Sequence, residues 1–543
     1  MSKVAQYLQE HLVGEVSASP EVRRHFAHDA SILRLAPAIV VYPRNESDIR
    51  KTASFCWQLA ERGRPMPLTA RGGGSDTSGA ALGAGILLVF PAHMNKILEL
   101  NPKKETIIVE PGATYDKVEQ TLYTHGLFLP PYPASLQYAT LGGSIANNAI
   151  GEKSLKYGST ADYVEKLRVV LANGEIIETG PLSKRELNKK LGLSTFEGDV
   201  YRAVDKIVEE NAELIHQQSL IAQTPRSSIG YNLSRIKTKK GFDLTPLFTG
   251  SQGTLGVISE ATMRVVPHNP LTRNILISFE KLDDMQEALP RILALKPSVC
   301  DMINKGAIER VLSINPRQLD NVLPMPSADI HLFVEFDDQK EADQKKALKK
   351  LTKIIDRDGI DYLVAEDLEG QDRIRKVRES VSTILNEPSG QTKAIPVAED
   401  IAVPVENLSE FLKKAAQIYQ AAGTAPAAWG QAGEGVVRMH PMFDLAQTGD
   451  RQKLFKLSDE LYAAALKLGG TLSAAHGEGR IRAPYTVYMY GEDLLKLIRQ
   501  VKAAFDPYNI LNPGVKTATR DEVKAMVRGD YNQAHRHEFL PRS

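Results

Sequence analysis

Residues 68–82 read LTARGGGSDTSGAAL, and they restrict the fold more than any other stretch of the chain. Three consecutive glycines support neither a helix nor a packed strand, since glycine loses the most backbone freedom on folding and has no side chain to bury. They do allow backbone N–H groups to approach an anion closely, and Ser75, Thr77 and Ser78 add hydroxyl donors. The apolar PMPLT run before them reads as a strand entering a buried loop; a flexible surface loop is the competing reading of this stretch alone. Two further glycine-rich stretches follow. In 133–164, Gly142-Gly143 precede the helix-compatible SIANNA, and a helix N-terminus approached through glycines is a ready anion site. In 247–261, LFTGSQGTLGVISEA, a tight turn runs into a strand. None has the Gly-x-Gly-x-x-Gly fingerprint after a strand or the Gly-Lys-Ser/Thr of a P-loop, so a Rossmann or nucleoside-triphosphatase reading is poor.

Around these loops the first half is a series of short apolar runs, PAIVVYP, GILLVFP and TIIVEPG, with LRVVLANGEIIETG reading as a hairpin turned at Asn173-Gly174. From about 270 strand and helix patterns alternate, which predicts an α+β domain with helices on one side of a sheet. EDLLKLIRQVKAAFDP reads as an amphipathic helix with Leu494, Ile498, Val501 and Phe505 on one face. A chain of 543 residues exceeds one core and implies two or three domains. Its net charge of +1 gives no field for nucleic acid. Cys56 and Cys300 are its two cysteines, too few for a disulfide scaffold or an iron–sulfur cluster, and they suit a reducing cytoplasm. The N-terminus lacks a signal-peptide pattern, and the longest apolar run is too short to span a bilayer. Free cytoplasmic and peripherally membrane-attached placements both stay open.

ARGGGSDTSG, VEPGATYDKVEQ, TLGGSIANNAIGEKSLKYGSTADYV, GSQGTLGVISEATMRV and FDPYNILNPG occur in this order. The chain thereby resembles the FAD-linked oxidases of the vanillyl-alcohol-oxidase fold, within them the D-2-hydroxyacid dehydrogenase branch, over roughly residues 36–517. The resemblance implies an N-terminal segment (1–35), an FAD-binding domain (36–268), a substrate or cap domain (269–470), a C-terminal segment returning to the flavin (471–517) and a loose charged tail (518–543). It implies that Arg71, Gly72, Gly73, Gly74, Ser75, Ser78 and Gly79 wrap the FAD pyrophosphate. Pro133, Ser135, Gly142, Gly143, Ser144, Asn148, Gly151, Tyr157 and Gly158 would line the ADP portion and flavin edge, Gly253, Gly256 and Val257 the adenosine end, and Asn512 the isoalloxazine. Some members attach FAD to a histidine after the glycine triplet; Ser75 stands there, so non-covalent FAD is expected.

Oxidising a hydroxy acid needs a base for the hydroxyl proton and a cation for the carboxylate. The resemblance places the base at His476 in SAAHGEGRIRAPY. Arg480 and Arg482 follow at strand spacing and either face the same side as His476 or serve as solvated or flavin-supporting cations. It also assigns a carboxylate clamp to Arg378, Ser382 and Lys393, for which a solvated basic helix face is the alternative. Members of the branch usually hold zinc or manganese with two histidines and a glutamate. Here Gln431, Arg438 and Ala475 stand in those places, within WGQAGEGVVRMHP and SAAH. The expected reaction is therefore metal-independent, with Arg438 supplying the cation, Arg378 or Arg480 helping, and Gln431 binding substrate. A rebuilt metal site would draw on His440, His476, Glu434 or Glu478. The alternative function is a flavin-binding subunit or a non-redox flavoenzyme with an alcohol, polyol or lipid substrate. Oxygen, a quinone, an electron-transfer flavoprotein and a partner subunit are all open as electron acceptors.

Overall fold

A computed structural model of the chain describes residues 3–239, 241–365, 367–385 and 391–531. The first half is built on two sheets. Strands Leu68–Arg71, Ile86–Val89 and Ile39–Tyr42 are parallel neighbours, and Glu15–Ser17 adds an antiparallel edge. IVVY and ILLV are buried at every position, as strands covered on both faces must be. Helix Glu46–Glu61 covers one face with Ile49, Ala53, Cys56 and Ala60 at helical spacing, its start capped by Asn45 accepting from Asp48 N–H. The second sheet is antiparallel, in the order Ile97–Asn101, Thr106–Val109, Val257–Arg264, Val164–Val170, Ile176–Glu178. Its last pair is the hairpin read from Asn173-Gly174, with Gly174 at φ +90°.

The second half carries an antiparallel sheet of eight strands. Asp361–Val364, Arg273–Phe279, Ile330–Phe336, Val299–Asn304, Pro426–Gly430, Val436–Phe443 and Lys393–Ala394 lie in that order, with Ile401–Ala402 also on Val436–Phe443. The helices do not lie on one side of it. Ile275 and Ile277 join the cluster containing Met285, Leu289 and Ile355, whereas the alternate residue Leu276 joins Ile308, Val311, Ile374 and Val377. RNILISF and IHLFVEF are apolar toward both faces, so both need a helical cover.

Helix Thr486–Phe505 buries Leu494, Ile498, Val501 and Phe505 as expected. The chain then returns to the first sheet, where Leu68 N–H donates to Ile510 O and Asn512 N–H to Leu68 O. The tail expected to be loose is partly built. Arg520–Met526 is a helix opened by a reciprocal Thr519/Glu522 cap, Arg528 N–H donates to Ile32 O, and the Tyr531 hydroxyl donates to Ala30 O. Residues 532–543 lie outside the described residues. Among the described residues no helix is long and apolar enough to cross a membrane.

Candidate active site

Strand Leu68–Arg71 ends in the glycine loop, which forms one wall of a cleft open to solvent. Arg71, Gly72, Gly73, Gly74 and Ser75 line it with Pro133, Ser135, Gly142, Gly143, Ser144, Gly253 and Gly256. The glycines are spent on close packing: a Cβ on Gly73 would sit 2.0 Å from Tyr138 O. The N–H groups of residues 72–76 have no hydrogen-bond acceptor among the described residues, which leaves a run of donors turned to an outside group. The expected anion site at SIANNA is different. Helix Leu141–Asn147 spends its first N–H groups within the protein: Leu141 on Ala113 O, Gly142 on Pro111 O and Gly143 on Thr140 Oγ1. Gly142, Gly143 and Ser144 thus contribute surface to the cleft rather than that set of donors.

His476 lines the same cleft, carried there by the C-terminal segment. Residues 473–482 form turns rather than a strand. His476 Nδ1 lies 2.8 Å from Glu399 Oε1, and His440 Nε2 lies 2.6 Å from Glu399 Oε2. Thr77 Oγ1 donates to Glu399 Oε1 at 2.8 Å. The neighbouring carboxylate, Asp400, accepts at Oδ2 from Ser473 Oγ and from Ala475 and His476 N–H, and at Oδ1 from Arg438 at 3.2 Å. Arg438 also donates to Gln431 Oε1 at 2.8 Å. Arg438 and His440 reach this place together because they alternate along strand Val436–Phe443, which pairs with Ile401–Ala402 just after the two acids. Both acids are buried. Burial opposes their charge, but His440 and His476 hold Glu399 well below the usual carboxylate range, and His476, Arg438 and Arg482 hold Asp400 down. For His476, burial is outweighed by Asp400 and by the hydrogen bond to Glu399, so its pKa is raised.

Residues 37–180 match the FAD binding domain family, and residues 269–515 match the family of FAD linked oxidases, C-terminal domain. The chain belongs to the FAD-linked oxidases. It is 31% identical over 530 residues to a D-2-hydroxyglutarate dehydrogenase of Pantoea ananatis (strain AJ13355), covering 95% of this chain and 51% of that protein. It is 28% identical to the glycolate oxidase subunit GlcD of Bacillus subtilis (strain 168), covering 90% of this chain and 91% of that one. The chain thus spans about half the length of the D-2-hydroxyglutarate dehydrogenases it matches, and most of the glycolate oxidase subunit. In fold it is similar to 4-ethylphenol oxidase from Gulosibacter chungangensis, with TM-score 0.68 and 17% identity over 96% of this chain and 98% of that one.

FAD fits the cleft of this FAD-linked oxidase. Gly253 has φ +72°, and the nearest atom a Cβ there would meet is Asn512 Nδ2 at 3.9 Å, which leaves room at this part of the wall. The unpartnered N–H groups of 72–76 suit a diphosphate. The remaining residues expected at FAD stand behind the wall. The Ser78 hydroxyl is taken by Asp76 at 2.7 Å, and Gly79 packs on Leu33. Asn148 ends the helix in the left-handed region and accepts from Ala161 N–H. Gly151 is pressed on Tyr132 O, Gly158 on Asp162, and the Tyr157 hydroxyl donates to Asp337. Val257 packs with Leu68 and Ile86. Asn512 ties Ala80 O and Gln252 O together beneath the loop.

The expected carboxylate clamp is not assembled. Arg378 is held by Glu152 and, at 2.7 Å, by Asp301, so its charge is neutralised within the protein. Ser382 is exposed and donates to Glu379 O. Lys393 lies on an edge strand paired with Phe443. Arg480 is buried and spent on Pro513 O, Leu82 O and Asn512 Oδ1. Arg482 braces Gly477 O and Glu399 O. The metal places are altered too: the Arg438 guanidinium bridges Gln431 and Asp400, which does not suit a divalent cation. Glu434 is bound by Arg226 and Ser154, and Glu478 by Lys516, so neither joins His440 and His476 in a rebuilt site. No group of three or more possible ligands occurs among the described residues. Glu399 and Asp400 stand at this site although no sequence motif singles them out, and Thr77, read from the sequence as an anion donor, turns to Glu399 instead; two adjacent acids inside the apolar AIPVAEDIAVP are the available signal.

Proposed function

We propose that this FAD-linked oxidase oxidises a 2-hydroxy acid of the D-lactate type without a divalent metal. The observation that carries the reading is the placement of His476 on the wall of the FAD cleft, with Nδ1 turned to Glu399. Nε2 then has no partner among the described residues, and the side chain is 28% exposed. It is the nitrogen available to take the substrate hydroxyl proton. FAD supplies the acceptor for the hydride that leaves the carbinol carbon. A guanidinium has five N–H donors, and Arg438 uses two of them within the protein. The others, on a side chain 14% exposed, suit the substrate carboxylate and the developing alkoxide. Names of relatives support the substrate class, since both a D-2-hydroxyglutarate dehydrogenase and a glycolate oxidase subunit act on 2-hydroxy acids.

The test is anaerobic bleaching of the yellow protein by paired D- and L-2-hydroxy acids, with and without chelator. Bleaching by one enantiomer series, unchanged by chelator, is expected; inertness to the whole panel would leave a flavin-binding subunit or non-redox enzyme as the better reading. Reoxidation of the bleached protein by oxygen, a quinone or an electron-transfer flavoprotein then identifies the acceptor, and failure with all three points to a partner subunit. Ser75 offers no attachment to the flavin, so acid denaturation should release FAD into the supernatant.

A further inference from the structure

We propose that Glu399 is the positioning residue that fixes the His476 imidazole as a base at Nε2, and that His440 and Thr77 hold Glu399 in turn. The inference rests on the reading of His476 as the base. Glu399 accepts at Oε1 from Thr77 Oγ1 and His476 Nδ1, and at Oε2 from His440 Nε2. A carboxylate can only accept, so both imidazoles must present N–H to it. For His476 this leaves Nε2 bare toward the cleft. For His440 it leaves Nδ1, which is buried without a hydrogen-bond partner. His440 donates its Nε2–H to Oε2 and so orients the carboxylate.

Other charged groups face this assembly from several elements. Asp400 accepts from His476 N–H, Arg438 is tied to Asp400, and Arg482 donates to Glu399 O beneath it. None of these contacts Nδ1 of His476. Thr77 Oγ1 lies 3.2 Å from that nitrogen but donates its one hydrogen to Glu399 Oε1 at 2.8 Å, so the carboxylate is the group that calls for a proton on Nδ1. The backbone around Glu399 is strained: Ala398 and Asp400, on either side of it, have φ of +46° and +64°. Such non-glycine left-handed residues persist where the surroundings enforce them.

The experiment is nitrogen NMR of histidine-labelled FAD-bound protein in alkaline buffer, with a His476→Asn variant to assign the signal. Wild type should show His476 protonated at Nδ1 and bare at Nε2. Glu399→Gln should shift it toward the other tautomer. Flavin reduction by the substrate found in the bleaching panel should slow roughly a hundredfold in Glu399→Gln, while the substrate dissociation constant changes less than about threefold. Thr77→Val, which removes one donor to the carboxylate, should slow reduction about tenfold with FAD retained. A bare Nδ1 in wild type, or a Glu399→Gln enzyme with unchanged tautomer and reduction rate, would overturn the proposal. The NMR arm needs no substrate, so it stands even if no 2-hydroxy acid bleaches the flavin.

Discussion

Arg438 stands beside His476 without touching it, joined to it through Asp400. Its replacement separates a cation that serves chemistry from one that serves only packing. Arg438→Met keeps the length of the side chain and removes the charge. It should lower kcat/KM by about a hundredfold or more while the protein purifies yellow, because no FAD-cleft wall residue is altered. Steady-state kinetics and the flavin absorbance check both halves. Asp400 makes a second case. Its charge helps raise the His476 pKa above the ordinary 6.5. A base must be deprotonated to act, so kcat/KM should rise with pH through a value above 6.5. Asp400→Asn removes the negative charge that favours imidazolium, so that limb should move to lower pH; a limb that stays put would deny Asp400 this role. His476, Arg438 and Gln431 are legible in the sequence because motifs carry them. The loss of Arg378 as a clamp is not, because its neutralising acids, Glu152 and Asp301, lie far from it along the chain.

At the level of elements, a cofactor wall is made by loops whose shape depends on missing side chains. Gly253 has φ +72°, which an L side chain resists, and it lines the cleft with room beside it. Gly253→Val should therefore give protein that folds but loses FAD, seen as a fall in the flavin-to-protein absorbance ratio; a fully yellow Gly253→Val protein would show that the cofactor lies elsewhere. The loops are readable because glycine runs are rare and ordered motifs constrain them. The covering of the eight-stranded sheet on both faces, against the expectation of one, is harder to read. Alternating strand and helix patterns reveal the order of elements, but the side each helix takes follows from three-dimensional packing. RNILISF and IHLFVEF do hold the clue, since a strand apolar at successive positions has no solvent face. Strand Val299–Asn304 and helix Lys305–Ile314 also escape the alternating pattern as read from the sequence.

Across the whole molecule, the segment 152–156, with Arg226, adds a set of ion pairs and hydrogen bonds between the first half and the half carrying the eight-stranded sheet. Lys153 donates to Glu335 at 2.7 Å and Asp337 at 3.0 Å, and Lys156 reaches Asp337 and Asp338. Glu152 holds Arg378, Ser154 holds Glu434, and Arg226 closes on Glu434 at 2.9 Å. Lys153 is 9% exposed, and its two acids are 7% and 3% exposed. A buried ion pair contributes modestly to stability as a whole, but deleting one partner leaves a charge buried and unmatched. Lys153→Met should therefore cost about 3 kcal/mol in denaturant unfolding. Lys156→Met, removing a side chain 29% exposed, should cost well under half of that. Adding Glu335→Leu to Lys153→Met should recover part of the loss, because it removes the orphaned charge. Equal losses in the two lysine variants would mean that the segment contributes through packing alone, and the relative placement of the two halves would then rest on their apolar contacts.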